Sequence, residues 1–300
     1  MVSIVTALYN RLDLTSKFFA SLEANPPHGP WEIIWVDDGS TDGTREWLRS
    51  LGGGQNRVIL NESNRGYAYN NNLAARAALG DTLVLLNNDL VLTPNWFEPM
   101  ARALSKHSLI GVVGNVQLQP ATGLIDHAGI IFNLAGLPEH HLRGRRQNTL
   151  CSEGAFQRGA TAACCMLRRS VFLEAGGFDE RYKNGGEDVA LCLSLADLGL
   201  RHWICYESRV WHHVSSSPGR HTAEDSNLAL FLKEWKHLTI PWGREDWPAF
   251  YLSRHRHELR RLNFIKTIDA LARLAGLRRG DSAWAAKRRN ALLASLNPQA

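Results

Sequence analysis

The chain opens with short apolar runs that alternate with amphipathic stretches. Val2-Ser-Ile-Val-Thr-Ala-Leu is β-branched and of strand length, and Asp13 to Leu22 then sets Leu14, Phe18, Phe19 and Leu22 at helical spacing. Trp31-Glu-Ile-Ile-Trp-Val predicts a second strand, closed by the turn sequence Asp37-Asp-Gly-Ser-Thr-Asp-Gly, with a helix from about Thr44 to Leu51 after it. Arg57-Val-Ile-Leu, a helical stretch from Tyr69 to Leu79, and Thr82-Leu-Val-Leu-Leu running into Asn87-Asn-Asp complete the series. Near-continuous apolar strands separated by helices predict an α/β fold, a parallel sheet covered on both faces.

Ligands of such sheets bind beyond the carboxyl ends of the strands. Tyr9-Asn10, Asp37-Asp38 and Asn87-Asn88-Asp89 each follow a strand end, so they are expected to face one crevice. The second half is less regular. Gly, Pro and His scattered between Leu118 and Gly159 suggest loops and antiparallel strands around an acceptor site. Ala160 to Leu167 reads as a strand, Ser170 to Ala175 as a short helix, and Glu187 to Leu198 as a longer one with Glu187 and Asp188 in its first turn.

Composition fits this picture, since 300 residues, 44% hydrophobic and 21% charged, can bury a large core. The N-terminus lacks the basic and apolar regions of a signal peptide, and no window offers the roughly 20 apolar residues of a membrane span. A cytoplasmic location is therefore expected. Cys151, Cys164, Cys165, Cys192 and Cys205 show no C-x-x-C spacing, which points to incidental thiols, neither a disulfide framework nor a zinc site. G-x-G-x-x-G and G-x-x-x-x-G-K-[ST] are both absent, which argues against a dinucleotide fold and a P-loop.

Charge is uneven. Residues 251–300 hold 11 Lys+Arg against 3 Asp+Glu, a net +8 in a chain whose total is +5, so residues 1–250 are net −3. The basic character belongs to the tail. From Arg261 to Leu277 the apolar Leu262, Phe264, Ile265, Ile268, Leu271 and Ala275 lie near one helical face. Most such helices pack on the body of their protein; peripheral attachment to anionic lipid at the inner face of the membrane is the sharper alternative. No nucleic-acid-binding motif is present.

Three groups of residues suit chemistry on a nucleotide-linked substrate. Asp38 can accept a hydrogen bond from a pyrimidine imide, with Asn64, Arg65 and Asn72 on the next segment; a helix-capping Asx turn explains the same sequence. Asp89 ends an apolar strand, where a carboxylate suits Mg²⁺ or Mn²⁺, and His212 or His213 in Val210-Trp-His-His-Val-Ser-Ser-Ser could supply a second ligand. Ser215, Ser216 and Ser217 offer donors for phosphate oxygens, or are ordinary loop. Glu187 and Asp188 follow Gly185-Gly186: they either complement a helix dipole or provide a general base.

In order along the chain, Val2-Ser-Ile-Val-Thr-Ala-Leu-Tyr-Asn, Val36-Asp-Asp-Gly-Ser-Thr-Asp, Asn64-Arg-Gly through Asn72, Asn87-Asn-Asp, Gly176-Gly-Phe-Asp-Glu, Glu187-Asp and Val210-Trp-His resemble the family-2 inverting glycosyltransferases. The likeness runs from Val2 to about Trp235 and is nearest to a bacterial, rhamnosyltransferase-like subgroup. It implies the GT-A nucleotide-diphospho-sugar transferase fold, a mostly parallel central sheet flanked by helices with a C-terminal helical extension. It also implies a donor site of Ala7, Tyr9, Asn10, Asp38, Asn64, Arg65, Asn72, Asn88 and Ser216, Mn²⁺ or Mg²⁺ on Asp89 and His212, and Asp188, beside Glu187, as the base. Asn87 stands where the D-x-D-type motif of these enzymes begins with an acid, and Ala190 and Ser194 replace a further Asp and Arg of many relatives.

The resemblance implies transfer of a sugar from a UDP- or dTDP-sugar to a hydroxyl of a glycan, lipid-linked or protein acceptor, in cell-surface polysaccharide or glycoconjugate synthesis. A non-catalytic sugar-nucleotide-binding regulatory protein of the same fold is the alternative. The expected layout is a transferase domain over 1–240, with a donor half over 1–117 and an acceptor and catalytic half over 118–240, followed by a basic helical extension over 241–300.

Overall fold

The computed structural model describes residues 1–213, 224–255, 260 and 262–295. Its first half follows the predicted alternation: β1 (Val2–Leu8), α1 (Leu12–Ala24), β2 (Trp31–Asp37), α2 (Thr44–Ser50), β3 (Asn56–Leu60), α3 (Tyr67–Ala77) and β4 (Thr82–Leu86). β1 pairs in parallel with both β2 and β4, and β2 with β3, so the spatial order is β3-β2-β1-β4. The chain leaves β1 toward one side and returns to β4 on the other. Such a reversal opens a crevice at the carboxyl ends of β1 and β4.

The strands read as continuous apolar runs because both faces are covered. β2 sends Ile33 and Trp35 into one core cluster and Ile34 and Val36 into the other. Trp35 is fully buried, with Phe18, Phe19 and Trp47 edge-on at centroid distances of 6.0, 5.7 and 5.7 Å. Edge-to-face contacts of this kind add about 0.5–1.5 kcal/mol each beyond burial.

The second half contains β5 (Leu90–Leu92), α4 (Glu98–Lys106), β6 (Ile110–Leu118), β7 (Ile125–His127), β8 (Ile130–Phe132), β9 (Pro138–His140), β10 (Gly154–Gln157), β11 (Cys164–Arg168), α5 (Arg169–Glu174), α6 (Glu187–Asp197) and β12 (Arg201–His212). β11 enters between β4 and β6, antiparallel to both; β6 and β12 are parallel, while β5, β7 and β10 join antiparallel. The sheet is therefore mixed, and parallel throughout only in its first half. A parallel neighbour needs a crossover of a dozen or more residues, usually a helix. Loops and the β8–β9 hairpin fill the stretch before β11 instead.

Helix α7 (Glu224–His255) runs through position 240, where a domain boundary was expected, and carries α8 (Phe264–Leu274) and α9 (Ala283–Ala294). The three helices share a cluster with Leu134, Ala135 and Leu137 of the β8–β9 turn, through Leu232, Trp247, Ala270, Ala285 and Leu292. α8 turns the expected packing around. It buries Asp269 and Ala270 and leaves Phe264, Ile265, Ile268, Leu271 and Leu274 exposed, with Leu277 just beyond its end. The Asp269 carboxylate draws that face inward: it accepts from Arg273 Nε at 3.0 Å, from Trp284 Nε1 at 3.1 Å and from the Ser282 hydroxyl. Among the described residues no helix is long and apolar enough to cross a membrane.

Candidate active site

The residues after β1 set the floor of the crevice. Asn10 and Arg11 adopt left-handed backbone, with φ of 56° and 64°. That bend lets the Asn10 N–H donate to Ser40 Oγ at 2.7 Å while Asn10 Oδ1 accepts from Thr41 N at 2.8 Å. The ends of β1 and β2 are tied together by side chains. Asp37, fully buried, accepts from the N–H groups of Gly39 and Ser40 and faces Arg45 at 3.6 Å. Ala7 is half-buried at the end of β1, and Tyr9 is 48% exposed at the rim.

Asp38 organises the next wall. Its Oδ1 accepts from Arg65 N at 2.7 Å and Asn61 Nδ2 at 3.2 Å, and its Oδ2 from Gly66 N at 3.0 Å. The carboxylate thus fixes the segment that holds the exposed Asn64 and Arg65, whose guanidinium lies 4.3 Å over the Tyr69 ring. Two of the expected donor residues spend their amides on the protein. Asn72 Nδ2 donates to Phe178 O at 2.8 Å and Glu180 Oε1 at 3.0 Å, and Asn72 Oδ1 accepts from Phe178 N at 2.8 Å. Gly177 allows that approach, since a Cβ there would lie 2.4 Å from Asn72 Oδ1. Asn88 Nδ2 donates to Thr15 Oγ1 on α1 at 2.9 Å. Ser216, like Ser215 and Ser217, lies outside the described residues.

Sheet pairing unites two residues far apart in sequence. β12 runs antiparallel to β5, with His212 opposite Leu90, and the His213 N–H donates to Asp89 O at 2.9 Å. His212 Nε2 therefore stands 3.2 Å from Asp89 Oδ1, with the imidazole 5% exposed. Neither ring nitrogen of His212 has a hydrogen-bond partner, and Asn87 Oδ1 is likewise buried without one. A buried imidazole with two unmet nitrogens beside a carboxylate fits a cation site. Neighbouring ligands of an octahedral ion at about 2.1 Å are about 3 Å apart, close to this separation. Among the described residues no cluster of three or more His, Cys, Asp or Glu converges, so the donor set is one oxygen and one nitrogen. Two protein ligands, with substrate phosphates and water completing the shell, is a common arrangement for Mg²⁺. Imidazole favours Mn²⁺. Nearby, Arg11 is held firmly charged, first by its hydrogen bond to Asp13 and further by the fields of Asp89 and Asp42.

The first turn of α6 carries the carboxylates expected to supply the base. Gly185 and Gly186 approach it with φ of 153° and 96°. The side chain of Asn227, on α7, accepts from Lys183 N and donates to the carbonyls of Lys183 and Gly185, at 3.1, 2.9 and 2.8 Å. Glu187 is buried, and its Oε2 accepts from Gly185 N at 2.8 Å. Asp188 is half-buried; its Oδ2 accepts from Ala162 N at 3.1 Å and its Oδ1 from Val189 N at 2.8 Å. The two carboxylates thus differ in surroundings, one folded back on the glycine loop and one turned toward residues 161–162.

Several residues near Asp188 escaped the sequence analysis. Tyr67 donates its hydroxyl to Ala162 O at 3.2 Å; burial, followed by the charges of Cys165, Glu187, Asp188 and Asp89, pushes its phenol well above the ordinary value. His127 is fully buried; its Nε2 accepts from Thr161 N at 3.3 Å and its Nδ1 faces His140 Nδ1 at 3.4 Å. Burial, with His140, His212 and His141 as neighbours, holds His127 well below the usual histidine range, so it is a neutral imidazole. Tyr67 lies within the Asn64-to-Asn72 segment but was not singled out there, and for His127 the only sequence signal was the abundance of His between Leu118 and Gly159.

This sheet, with its crevice between β1 and β4, is a GT-A fold. The chain is similar over 99% of its length to a solved structure of GalNAc-T7 with UDP, GalNAc and Mn²⁺, at a TM-score of 0.64 and 18% identity, covering 58% of that chain. Residues 3–176 match the profile of Glycosyl transferase family 2, and the chain belongs to that family. It is 31% identical to the O-antigen biosynthesis protein RfbC of Myxococcus xanthus over 72% of this chain and 17% of RfbC. It is 27% identical to the N-acetylglucosaminyl-diphospho-decaprenol L-rhamnosyltransferase of Mycobacterium tuberculosis H37Rv, over 78% of this chain and 82% of the relative. The chain spans only 28% and 17% of the length of the longer relatives it matches.

Proposed function

We propose that the chain is an inverting, metal-dependent glycosyltransferase that moves a sugar from UDP or dTDP to a hydroxyl of a glycan, lipid-linked or protein acceptor. The reading is carried by one observation: Asp89 and His212 stand 3.2 Å apart, with both ring nitrogens of the buried imidazole unmet. The UDP and Mn²⁺ of GalNAc-T7 support the donor and metal class, and the names of RfbC and of the rhamnosyltransferase support cell-surface polysaccharide synthesis.

Each residue then has a task. Asp38, or the segment it fixes, meets the pyrimidine, while Asn10 keeps the ends of β1 and β2 in register for the ribose. Asp89 and His212 would hold Mn²⁺ or Mg²⁺, which when bound neutralises the diphosphate as a leaving group. Arg11 adds a permanent cation at the same end. The N–H groups of Ala162 and Val189 orient Asp188, which removes the acceptor's hydroxyl proton as that oxygen attacks the anomeric carbon. One C–O bond forms as the bond to the diphosphate breaks, the electron pair leaves with the nucleotide, and configuration inverts.

The test is a thermal-shift and hydrolysis screen of nucleotide sugars with and without Mn²⁺, on the wild type, Asp188→Asn and His212→Ala. One UDP- or dTDP-sugar is expected to stabilise wild type and Asp188→Asn in a metal-dependent way, with nucleotide release reduced in Asp188→Asn by about 10²–10⁴-fold. His212→Ala is expected to lose the metal dependence. Donor binding without turnover in any protein, given a full range of acceptors, means the binding-protein reading; no binding at all overturns the donor site.

The same proposal includes peripheral contact with an anionic membrane at the cytoplasmic face, where a lipid-linked acceptor would be found. The outward apolar face of α8 supports it, in a stretch of the chain that also holds the exposed Arg279, which has no carboxylate partner among the described residues.

A further inference from the structure

A second cavity lies away from the crevice. It has a volume of about 790 Å³, within the range of small-molecule sites, and is walled by α7, the end of α6 and the first residues of β12. Ala196 lines it eight residues after Asp188, about 12 Å along the α6 axis. Arg201 and His202 line it at the start of β12, whose other end is His212, roughly 30 Å along the strand. The axis of β12 therefore separates these residues from His212, and that of α6 separates Ala196 from Asp188.

Its lining is unusual in charge. Arg143, Arg145, Arg158, Arg201 and Arg254 face it with Asp246 as the one acidic residue among the described lining. Three of the arginines are answered. Arg158 holds Asp246 and Glu245 at 2.7 Å each, Arg143 reaches Asp126 at 3.2 Å, and Arg254 reaches Glu139 at 3.5 Å. Arg145 donates to a carbonyl, Ser253 O, and Arg201 lies 3.7 Å over the Phe156 ring; neither has a carboxylate partner among the described residues. Arg158 also sits 4.9 Å over Trp242. Guanidinium groups parked on aromatic faces lose little freedom when they bind a ligand, and their planar forks match carboxylate and phosphate oxygens. Phe156, 40% exposed, and the wall residues Trp242 and Phe250, each with a guanidinium over its ring, add apolar wall against which a sugar ring can pack.

We propose that this cavity binds a sugar bearing an oxyanion, a carboxylate or a phosphate on the ring, at a site separate from the donor crevice. Arg145 and Arg201 supply the uncompensated charge that takes the anion; Phe156 and Trp242 take the ring. Two sources carry that chemistry, an acidic glycan and a free sugar phosphate, and neutral glycans lack it.

Calorimetric titration and Trp fluorescence of the full chain test the assignment, with trigalacturonate, galactose 6-phosphate and the neutral maltotriose as probes. Binding of trigalacturonate points to an acidic glycan and binding of galactose 6-phosphate to a sugar phosphate; either supports the site if maltotriose does not bind. The exposed Arg201→Ala combined with Arg145→Ala is expected to weaken the bound probe about tenfold or more, as the loss of charge-assisted hydrogen bonds requires. Arg201→Lys should weaken it less, and Asp188→Asn should leave it unchanged. Failure of both anionic probes to bind, equal binding of maltotriose, undiminished binding by the double variant, or displacement of the probe by UDP each overturns the proposal.

Discussion

His127 is a single buried imidazole, yet through Thr161 it ties the backbone beside the candidate site to pH. Its depressed affinity for protons, shared by His140 and by His202, which burial pushes down to about 4, means the folded state resists protonation that the unfolded chain accepts near 6.5. Below that value the unfolded chain binds more protons than the folded one. Stability is therefore fully present above about pH 6.5 and falls as pH drops toward 4. Thermal melts between pH 7.5 and about pH 5 are expected to show a declining Tm, and His127→Gln should flatten the decline. An equal slope in the variant would place the coupling elsewhere. Sequence reading could not single out His127, because its importance comes from Thr161 and His140, brought to it by chain pairing.

Asn227 shows how one element positions another. Three hydrogen bonds from this α7 side chain hold the loop that leads into α6, and Asp188 is the second residue of that helix. Asn227→Ala leaves the Lys183 and Gly185 backbone groups short of partners, a cost of about 1–3 kcal/mol. Urea denaturation is expected to register that loss, and kcat is expected to fall more than KM for the donor changes, since the base moves while the Asp89–His212 pair does not. A variant with unchanged kcat would reduce Asn227 to a purely structural pin. Helix α6, with Glu187 and Asp188 in its first turn after two glycines, lies where the sequence reading put a helix. Its anchor was not legible, because Asn227 lies on α7, an element that the sequence analysis did not delimit.

For the molecule as a whole, the orientation of α8 is the feature on which the proposed membrane contact rests. A surface helix ordinarily turns its apolar stripe to the core. Here Asp269 takes the inner position and the apolar residues point out, with Phe264 78% and Leu277 84% exposed. Flotation of the full chain with phosphatidylcholine vesicles, with and without about one-third phosphatidylglycerol, is expected to show binding to the anionic vesicles only, weakened by salt. Ile268→Glu with Leu271→Glu should abolish it without lowering Tm, because both side chains are already in solvent. If the double variant instead turns a dimer into a monomer and wild type ignores vesicles, the face is a self-association surface.

The sequence by itself determined what local pattern can determine. The alternation of apolar strands and amphipathic helices specified the α/β first half, since it depends on neighbours in the chain. The tertiary structure decided the rest. Pairing of β5 with β12 brought His212 to Asp89, the return of β11 between β4 and β6 made the sheet mixed, and the inward pull on Asp269 reversed α8. Each of these is a contact between residues distant in sequence, won by pairing and packing energy that no local periodicity records.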